Sequence, residues 1–324
     1  MGDPAGIAPE VIARSLADPE IGRAGGILIV GSWALMRAAF ERYAPGVGLL
    51  PLDSVADWDG LHPGILDVPV PDEAGIAPGK PSRASARVAG EAVRVAAGMA
   101  IDGAVDAVVT APLTKWAFAE MGLPHHGHTE YFAWRSGSTR FAMMFVFGQQ
   151  RVILATTHLP LAKVSESLSK RRIIDCVALL DETLGAHFGT ARPRLGVAGL
   201  NPHAGEGGLL GVEEQEIVLP AVVECREAGI QVSGPHPADT LFWRMAAGEF
   251  DGVVALYHDQ ALIPVKLLGP EHAVNVTVGL PFVRTSASHG TAFDIAGRGI
   301  ASEASMVEAI HLAGKMVIGS QTPQ

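Results

Sequence analysis

Short apolar runs alternate with longer amphipathic stretches along nearly the whole chain. Residues 26–30 (GILIV), 105–110 (VDAVVT), 141–147 (FAMMFVF), 151–157 (RVILATT) and 273–279 (AVNVTVG) are too short for helices and rich in β-branched or aromatic side chains. They therefore predict buried strands. Amphipathic stretches predict helices over 33–43, 84–101, 163–184, 212–228 and 303–318, the last with Ser302 as its N-cap. A further helix is expected after Pro112, since proline is favoured in a first helical turn. The GQQ between the runs 141–147 and 151–157 predicts a hairpin. Pro- and Gly-rich stretches at 69–81 and 123–127 predict loops. This order indicates an α/β protein with a mixed sheet.

Three of the apolar runs end on a histidine: 151–158 on His158, 194–203 on His203, and 252–259 on His258 and Asp259. Open α/β sheets place their ligands beyond the carboxyl ends of the strands. Three imidazoles delivered to one such edge suit a divalent cation with positions left for a substrate. Any one of these histidines reads at least as well as a core or loop residue; the metal reading rests on all three standing at strand ends.

Other chemistry is scattered along the chain. GHTE (127–130), preceded by His125 and His126, offers His128 and Thr129 as donors to an anion at a helix N-terminus. Thr129 reads equally as a plain N-cap of the next helix. NPHAGEGG (201–208) follows a strand and precedes a helix, yet it is not GxGxxG, and GxxxxGK[ST] is absent, so neither standard nucleotide fingerprint is present. Its glycines alone read equally as a connector. Asp239 could act as a general base or a helix cap; Asp259, next to His258, could orient a ligand. Lys266, Asn275 and Arg284 stand near strand ends in a stretch otherwise short of charge and favour a phosphate. His289 reads as either a site or a turn residue, and Met143, Met144, Phe141, Phe145 and Phe147 as core packing.

Composition bounds these readings. With 324 residues the chain is long enough for two domains or one large α/β unit, and 48% hydrophobic against 18% charged residues argues against disorder. A net charge of −10 without a basic tract argues against a nucleic-acid surface. The two cysteines, Cys176 and Cys225, fall in helix-like segments outside any CxxC, so no disulfide framework and a reducing cytoplasm are expected. No signal peptide and no run long enough for a bilayer are found, so no membrane association is expected. The GDPAG turn beside Met1 is of a kind that a strand normally leads into.

In chain order GDPAGIAPE (2–10), GHTE, TTHLPL (156–161), GLNPHAGEGG (199–208), GPHPADTLF (234–242), YHDQ (257–260), VNVTVGLPFVRTS (274–286) and HGTAFDIAG (289–297) resemble the 4-hydroxythreonine-4-phosphate dehydrogenase family over essentially the whole chain. The resemblance implies a two-domain fold like the isocitrate and isopropylmalate dehydrogenases, with an active-site cleft between the domains. The expected domains are residues 1–124 with 291–324, and residues 125–290. It also implies a homodimer whose partner subunit completes the metal site. By resemblance, His158, His203 and His258 bind the divalent metal, zinc first, with magnesium or cobalt as alternatives. His128, Thr129, Lys266, Asn275 and Arg284 match substrate contacts, and Asp239, Asp259 and Lys266 stand near the reacting centre. NAD or NADP would bind without a Rossmann fingerprint.

The implied reaction oxidises the C3 hydroxyl of 4-phosphooxy-L-threonine and decarboxylates the product to 3-amino-2-oxopropyl phosphate, a step toward pyridoxal 5'-phosphate. Alternatives are a paralogous dehydrogenase of 4-phospho-D-threonate or 4-phospho-D-erythronate, and, from other classes, a metal-dependent hydrolase or a phosphoester-binding protein. A branch of the family acting on diols of aromatic dicarboxylates is disfavoured by the retained GHTE. The chain departs from the family at Ser288, where Asp is common, at Leu209, and across 261–266. These departures bear on substrate identity and leave the proposed metal ligands in place.

Overall fold

The computed structural model describes residues 1–21, 26–125, 127–268 and 272–321, so His126 lies outside the described residues. The chain divides into two compact units, Met1–Ser138 with Leu280–Val317, and Thr139–Gly279 with the residues from Ile318. In the first unit the chain runs through α1 (Ala8–Leu16), β1 (Leu28–Gly31), α2 (Trp33–Tyr43), β2 (Leu50–Leu52), β3 (Gly64–Asp67), α3 (Arg83–Ile101), β4 (Ala107–Thr110), α4 (Lys115–Glu120) and α5 (His128–Ser136). β1, β3 and β2 pair side by side and in parallel, with Gly64 opposite both Leu28 and Leu50. Val11, Met36, Phe40 and Ile65 are buried together against this small sheet. α3 opens with a capping box, in which Ser82 Oγ accepts from Ser85 N (3.1 Å) and Ser85 Oγ from Ser82 N (3.0 Å). α4 begins later than the proline suggested. Thr114 stays extended and its Oγ1 accepts from Ala117 N at 3.2 Å, so the cap sits two residues beyond Pro112.

The second unit contains β5 (Ala142–Phe147), β6 (Gln150–Leu154), α6 (Val164–Ser167), α7 (Lys170–Phe188), β7 (Leu195–Ala198), α8 (Leu219–Glu227), β8 (Val232–His236), α9 (Ala238–Ala246), β9 (Gly252–Ala255), α10 (His258–Leu268) and β10 (Val274–Val278). Its strands lie in the order β10-β5-β6-β9-β7-β8. The hairpin is present: β5 and β6 are antiparallel, Phe147 pairs with Gln150, and Gly148 takes the left-handed φ of 54° that the tight turn requires. β6, β9, β7 and β8 run parallel, and every residue of β7 and β9 is buried, as covered parallel strands require. Met143, Phe145 and Phe147 pack in the core with Val152, Leu154 and Leu241. The helix expected over 163–184 is broken: Leu168 is extended, and Ser169 caps α7 by accepting from Arg172 N at 3.2 Å. The helix expected over 212–228 opens instead with a π turn, Glu214–Val218, before α8.

The chain then returns to the first unit through β11 (Val283–Ser286), which pairs in parallel with β4, and ends in α11 (Ala304–Gln321). The helix starts one residue later than expected: Glu303 O accepts from Val307 N at 3.0 Å, so Glu303 holds the N-cap position, and Ser302, one residue before it, accepts from Ala304 N at 3.4 Å. Glu10, 2% exposed, ties α1 to the segment before α11 by accepting from Ala301 N at 2.9 Å. The units join at 138/139 and 279/280, whereas the sequence placed boundaries at 124/125 and 290/291. The difference has a packing cause. Phe118, Tyr131 and Phe132 share a core with Val93, Ala97 and Val108, and Leu280 and Phe282 pack on it, so α5 and β11 belong with the first unit. His128, Thr129 and Arg284 therefore lie there. Among the described residues no helix is long and apolar enough to cross a membrane.

Candidate active site

In the first unit GHTE forms the first turn of α5. Gly127, extended at φ −158°, is the N-cap and supplies no side chain, so Thr129 is not the cap but a buried first-turn residue. His128 sits between aromatic rings, edge-on to Phe118 (centroids 5.2 Å) and stacked with Phe132 (6.3 Å). Its Nε2 is shut off from solvent and has no hydrogen-bond partner among the described residues. Burial pushes its pKa well below the ordinary 6.5, and the nearby Arg284 guanidinium adds to the shift. The imidazole is therefore neutral at pH 7.

Arg284, on β11, is 2% exposed, and its Nη2 donates to Thr110 Oγ1 at 2.5 Å from the paired strand β4. Burial lowers the guanidinium to about 10, opposed in part by Glu130, so it remains a cation. A desolvated cation, a neutral imidazole and a helix start without a side-chain cap are groups that suit an anion. The same burial makes stability depend on pH. A histidine that is harder to protonate when folded binds fewer protons than the unfolded chain below the ordinary 6.5. The stabilisation is thus complete above that value and is lost as pH falls through and below it. Urea unfolding followed from about pH 7.5 to about pH 5 should show this decline, and His128→Asn should flatten it. An unchanged pH dependence in the variant would mean that the imidazole ionises freely.

In the second unit β6, β9 and β7 are adjacent and parallel, so the loops after them share one sheet edge. His158 follows β6, His258 opens α10 directly after β9, and His203 lies in the loop after β7. The rings of His158 and His258 approach to 5.6 Å at 42°. Two imidazoles on one ion, each nitrogen ~2.1 Å away, have ring centres about 5 Å apart, so this pair fits a shared cation. The Asp259 carboxylate lies 2.7 Å from His258 Nδ1, which leaves Nε2 as the ring nitrogen that could meet a cation. His203 does not join the pair. Among the described residues no group of three His, Cys, Asp or Glu is placed to hold a metal. The cause is local: His203 to Gly207 all have positive φ (53°, 53°, 80°, 44° and 65°), a left-handed turn that leaves His203 exposed.

The remaining expected residues are dispersed. Asp239 is exposed in the first turn of α9, and the N-cap is Pro237, so Asp239 is not the cap. Lys266 is exposed in the last turn of α10. Asn275, on β10, has a buried Oδ1 with no partner among the described residues, as does His289 at Nε2. Ser288 donates its backbone N–H to Ser305 Oγ at 3.0 Å, and Leu209 is 82% exposed beside Leu210. Ser233 and His236 have the look of a nucleophile and base, 2.8 Å apart. Arg244 Nη1 lies 3.1 Å from His236 Nδ1, and arginine can only donate. The ring proton therefore sits on Nε2 and points at Ser233 Oγ, so His236 cannot take that hydroxyl's proton. Sequence reasoning missed Thr110, whose one signal is a hydroxyl closing an apolar run. It also missed Glu214, buried on the π turn beyond the Gly-rich loop, whose one signal is an adjacent acidic pair.

Comparison with known proteins gives concordant matches. Residues 26–313 match the family described as "Pyridoxal phosphate biosynthetic protein PdxA". A 4-hydroxythreonine-4-phosphate dehydrogenase of Desulforapulum autotrophicum is 42% identical over 317 residues, covering 97% of this chain and 93% of the relative. A D-threonate 4-phosphate dehydrogenase of Pectobacterium atrosepticum is also 42% identical, over 316 residues, covering 97% of this chain and 96% of the relative. The crystal structure of a 4-hydroxythreonine-4-phosphate dehydrogenase from Klebsiella pneumoniae superposes with a TM-score of 0.89 at 42% identity, covering 98% of each chain.

Proposed function

The chain belongs to the pyridoxal phosphate biosynthetic protein PdxA family, and from that premise we propose that it is a cytoplasmic dehydrogenase of 4-phosphooxy-L-threonine. The observation that carries this reading is the buried receptor of His128 and Arg284 at the start of α5, which suits a phosphate dianion. Arg284 and the first-turn N–H groups of α5 bind and orient the phosphate, and the neutral imidazole of His128 adds a hydrogen bond without a second buried charge. Asn275 contributes its buried amide to the substrate. Asp239 and Lys266 are assigned to removal of the C3 hydroxyl proton.

His158, His258 and His203 would hold a divalent cation, zinc first, with Asp259 fixing the ring of His258. Such an ion supplies charge stabilisation at the hydroxyl and at the carbonyl that replaces it. NAD or NADP, to which no residue is assigned, would supply the hydride acceptor, and the carboxylate of the oxidised product would leave as CO2. The loop that carries His203 continues into Leu209, Leu210 and Val212, all exposed, and exposed apolar side chains of this kind suit a subunit contact. We assign the enzyme as a homodimer in which His203 of one subunit completes the pair formed by His158 and His258 of the other.

A second reading, a dehydrogenase of 4-phospho-D-threonate or its erythronate analogue, is favoured by the equal identity to a relative of the first kind. Nicotinamide reduction is to be followed with the three phosphorylated substrates, with and without a chelator. Chelator-sensitive turnover of the amino acid alone is the expected result. Preference for either non-amino acid would move the protein to the second reading. No turnover of any of them with metal present would favour a hydrolase or a binding protein.

A further inference from the structure

Buried hydrogen bonds lace together the three loops that carry His158, His258 and His203, crossing the sheet edge strand by strand. On the loop after β6, Thr156 Oγ1 donates to Leu256 O at 2.7 Å, on the loop after β9. Leu256 N donates to Gln260 Oε1 at 2.6 Å, and Gln260 Nε2 donates to Gly199 O at 2.7 Å, at the start of the loop after β7. Just beyond the start of that loop, Leu200 N and Asn201 N both donate to Glu214 Oε1, at 2.8 and 2.7 Å. Asn201 Nδ2 donates to Glu214 Oε2 at 3.0 Å and to Glu213 Oε2 at 2.8 Å. Gln260 is 8% exposed and Glu214 2%.

The residue types are specified by this arrangement. Glu214 meets three donors, so only a group with no donor of its own serves; a glutamine would set an amide N–H against Asn201 Nδ2. Gln260 must accept on one side and donate on the other, which a carboxylate cannot do. The glycines fit the same account: a Cβ on Gly205 would lie 2.6 Å from Glu214 Oε2, and one on Gly199 would lie 2.9 Å from Ala204 Cα. Beyond this anchor the chain enters the left-handed turn, in which His203, Ala204 and Glu206 occupy a region that L-residues seldom adopt. A strained turn of this kind persists only where its surroundings over-determine it.

We infer that Glu214 and Gln260 are positioning residues: they hold the base of the His203 turn in register with the His258 end of α10, and so set where His203 is presented. The inference rests on the metal reading of the three histidines. The test uses the full chain, with Glu214→Gln and Gln260→Met beside His203→Ala. Three quantities are measured: amide hydrogen exchange at Leu200 to Ala204, cobalt(II) affinity of the metal-stripped protein by dialysis, and kcat and KM separately.

For Glu214→Gln and Gln260→Met we expect exchange at least about tenfold faster and cobalt affinity about 10- to 100-fold weaker, the usual cost of losing a ligand's supporting contacts. kcat should fall while KM for the phosphorylated substrate stays nearly constant. His203→Ala should lose cobalt affinity with exchange unchanged. If His203→Ala instead keeps full affinity, the metal reading fails, while faster exchange in the other two variants still reports the clamp. Wild-type exchange and affinity in Glu214→Gln would overturn the inference. If that variant does not fold, Asn201→Ala, which removes only the side-chain donor, is read by the same criteria.

Discussion

Mixed in equal amounts and allowed to exchange subunits, His203→Ala and His258→Ala proteins, each inactive alone, should recover about one quarter of wild-type turnover, from C2 statistics. Random exchange makes half of the dimers hybrid. In each hybrid, one site combines the intact His158 and His258 of one subunit with the intact His203 of the other, while the second site carries both lesions. The expectation rests on the proposed homodimer, and the single chain supports it: His158 and His258 pair at 5.6 Å, while His203 stands apart, exposed on a left-handed turn. If all three ligands came from one subunit, every site in the mixture would carry a lesion and no activity would return. Sedimentation of the separate variants establishes that exchange has dimers to act on.

Replacing Arg284 should separate phosphate recognition from the rest of catalysis. A buried charged hydrogen bond that loses its cation typically costs about 3 kcal/mol, or about a hundredfold in kcat/KM. Arg284→Ala is therefore expected to lose about that factor on the phosphorylated substrate and little on its dephosphorylated analogue. Arg284→Lys, which keeps the charge but not the fork, should fall between them. Because the guanidinium also holds Thr110 across two strands, thermal unfolding of both variants must be recorded. Equal losses on the two substrates would assign Arg284 to structure rather than to phosphate.

Much of the architecture was legible because it rests on local patterns. Apolar runs of strand length became β1, β4, β5, β6 and β10, and the two-residue turn after Phe147 formed where a glycine allowed it. The start of the last helix was legible to within one residue, with Ser302 just before the N-cap position, because helix starts depend on a few neighbouring atoms. The strands β2, β3, β8 and β11 escaped notice, since LPL, GILD, VSGPH and VRTS are broken by proline, glycine or polar residues and present no continuous apolar run. The helix breaks at Leu168 and at the π turn were equally silent, because propensity does not report which backbone groups a neighbouring element will bond.

The sequence by itself determined the chemistry on offer: an α/β chain with histidines beyond three buried strands, and an imidazole and an arginine able to serve an anion. Those depend on side-chain period and residue type, which are properties of short segments. Only the tertiary structure decided how the groups combine. It placed His128 and Arg284 in one unit by packing α5 and β11 on a shared aromatic core, and so buried Arg284 and the Nε2 of His128. It paired His158 with His258 and turned His203 away, because strand order brings β6, β9 and β7 side by side while the buried carboxylate of Glu214 anchors the base of a left-handed turn. Strand order depends on contacts between residues far apart in the chain, which no local pattern encodes, and the path of the turn depends on a buried carboxylate that its glycines do not name.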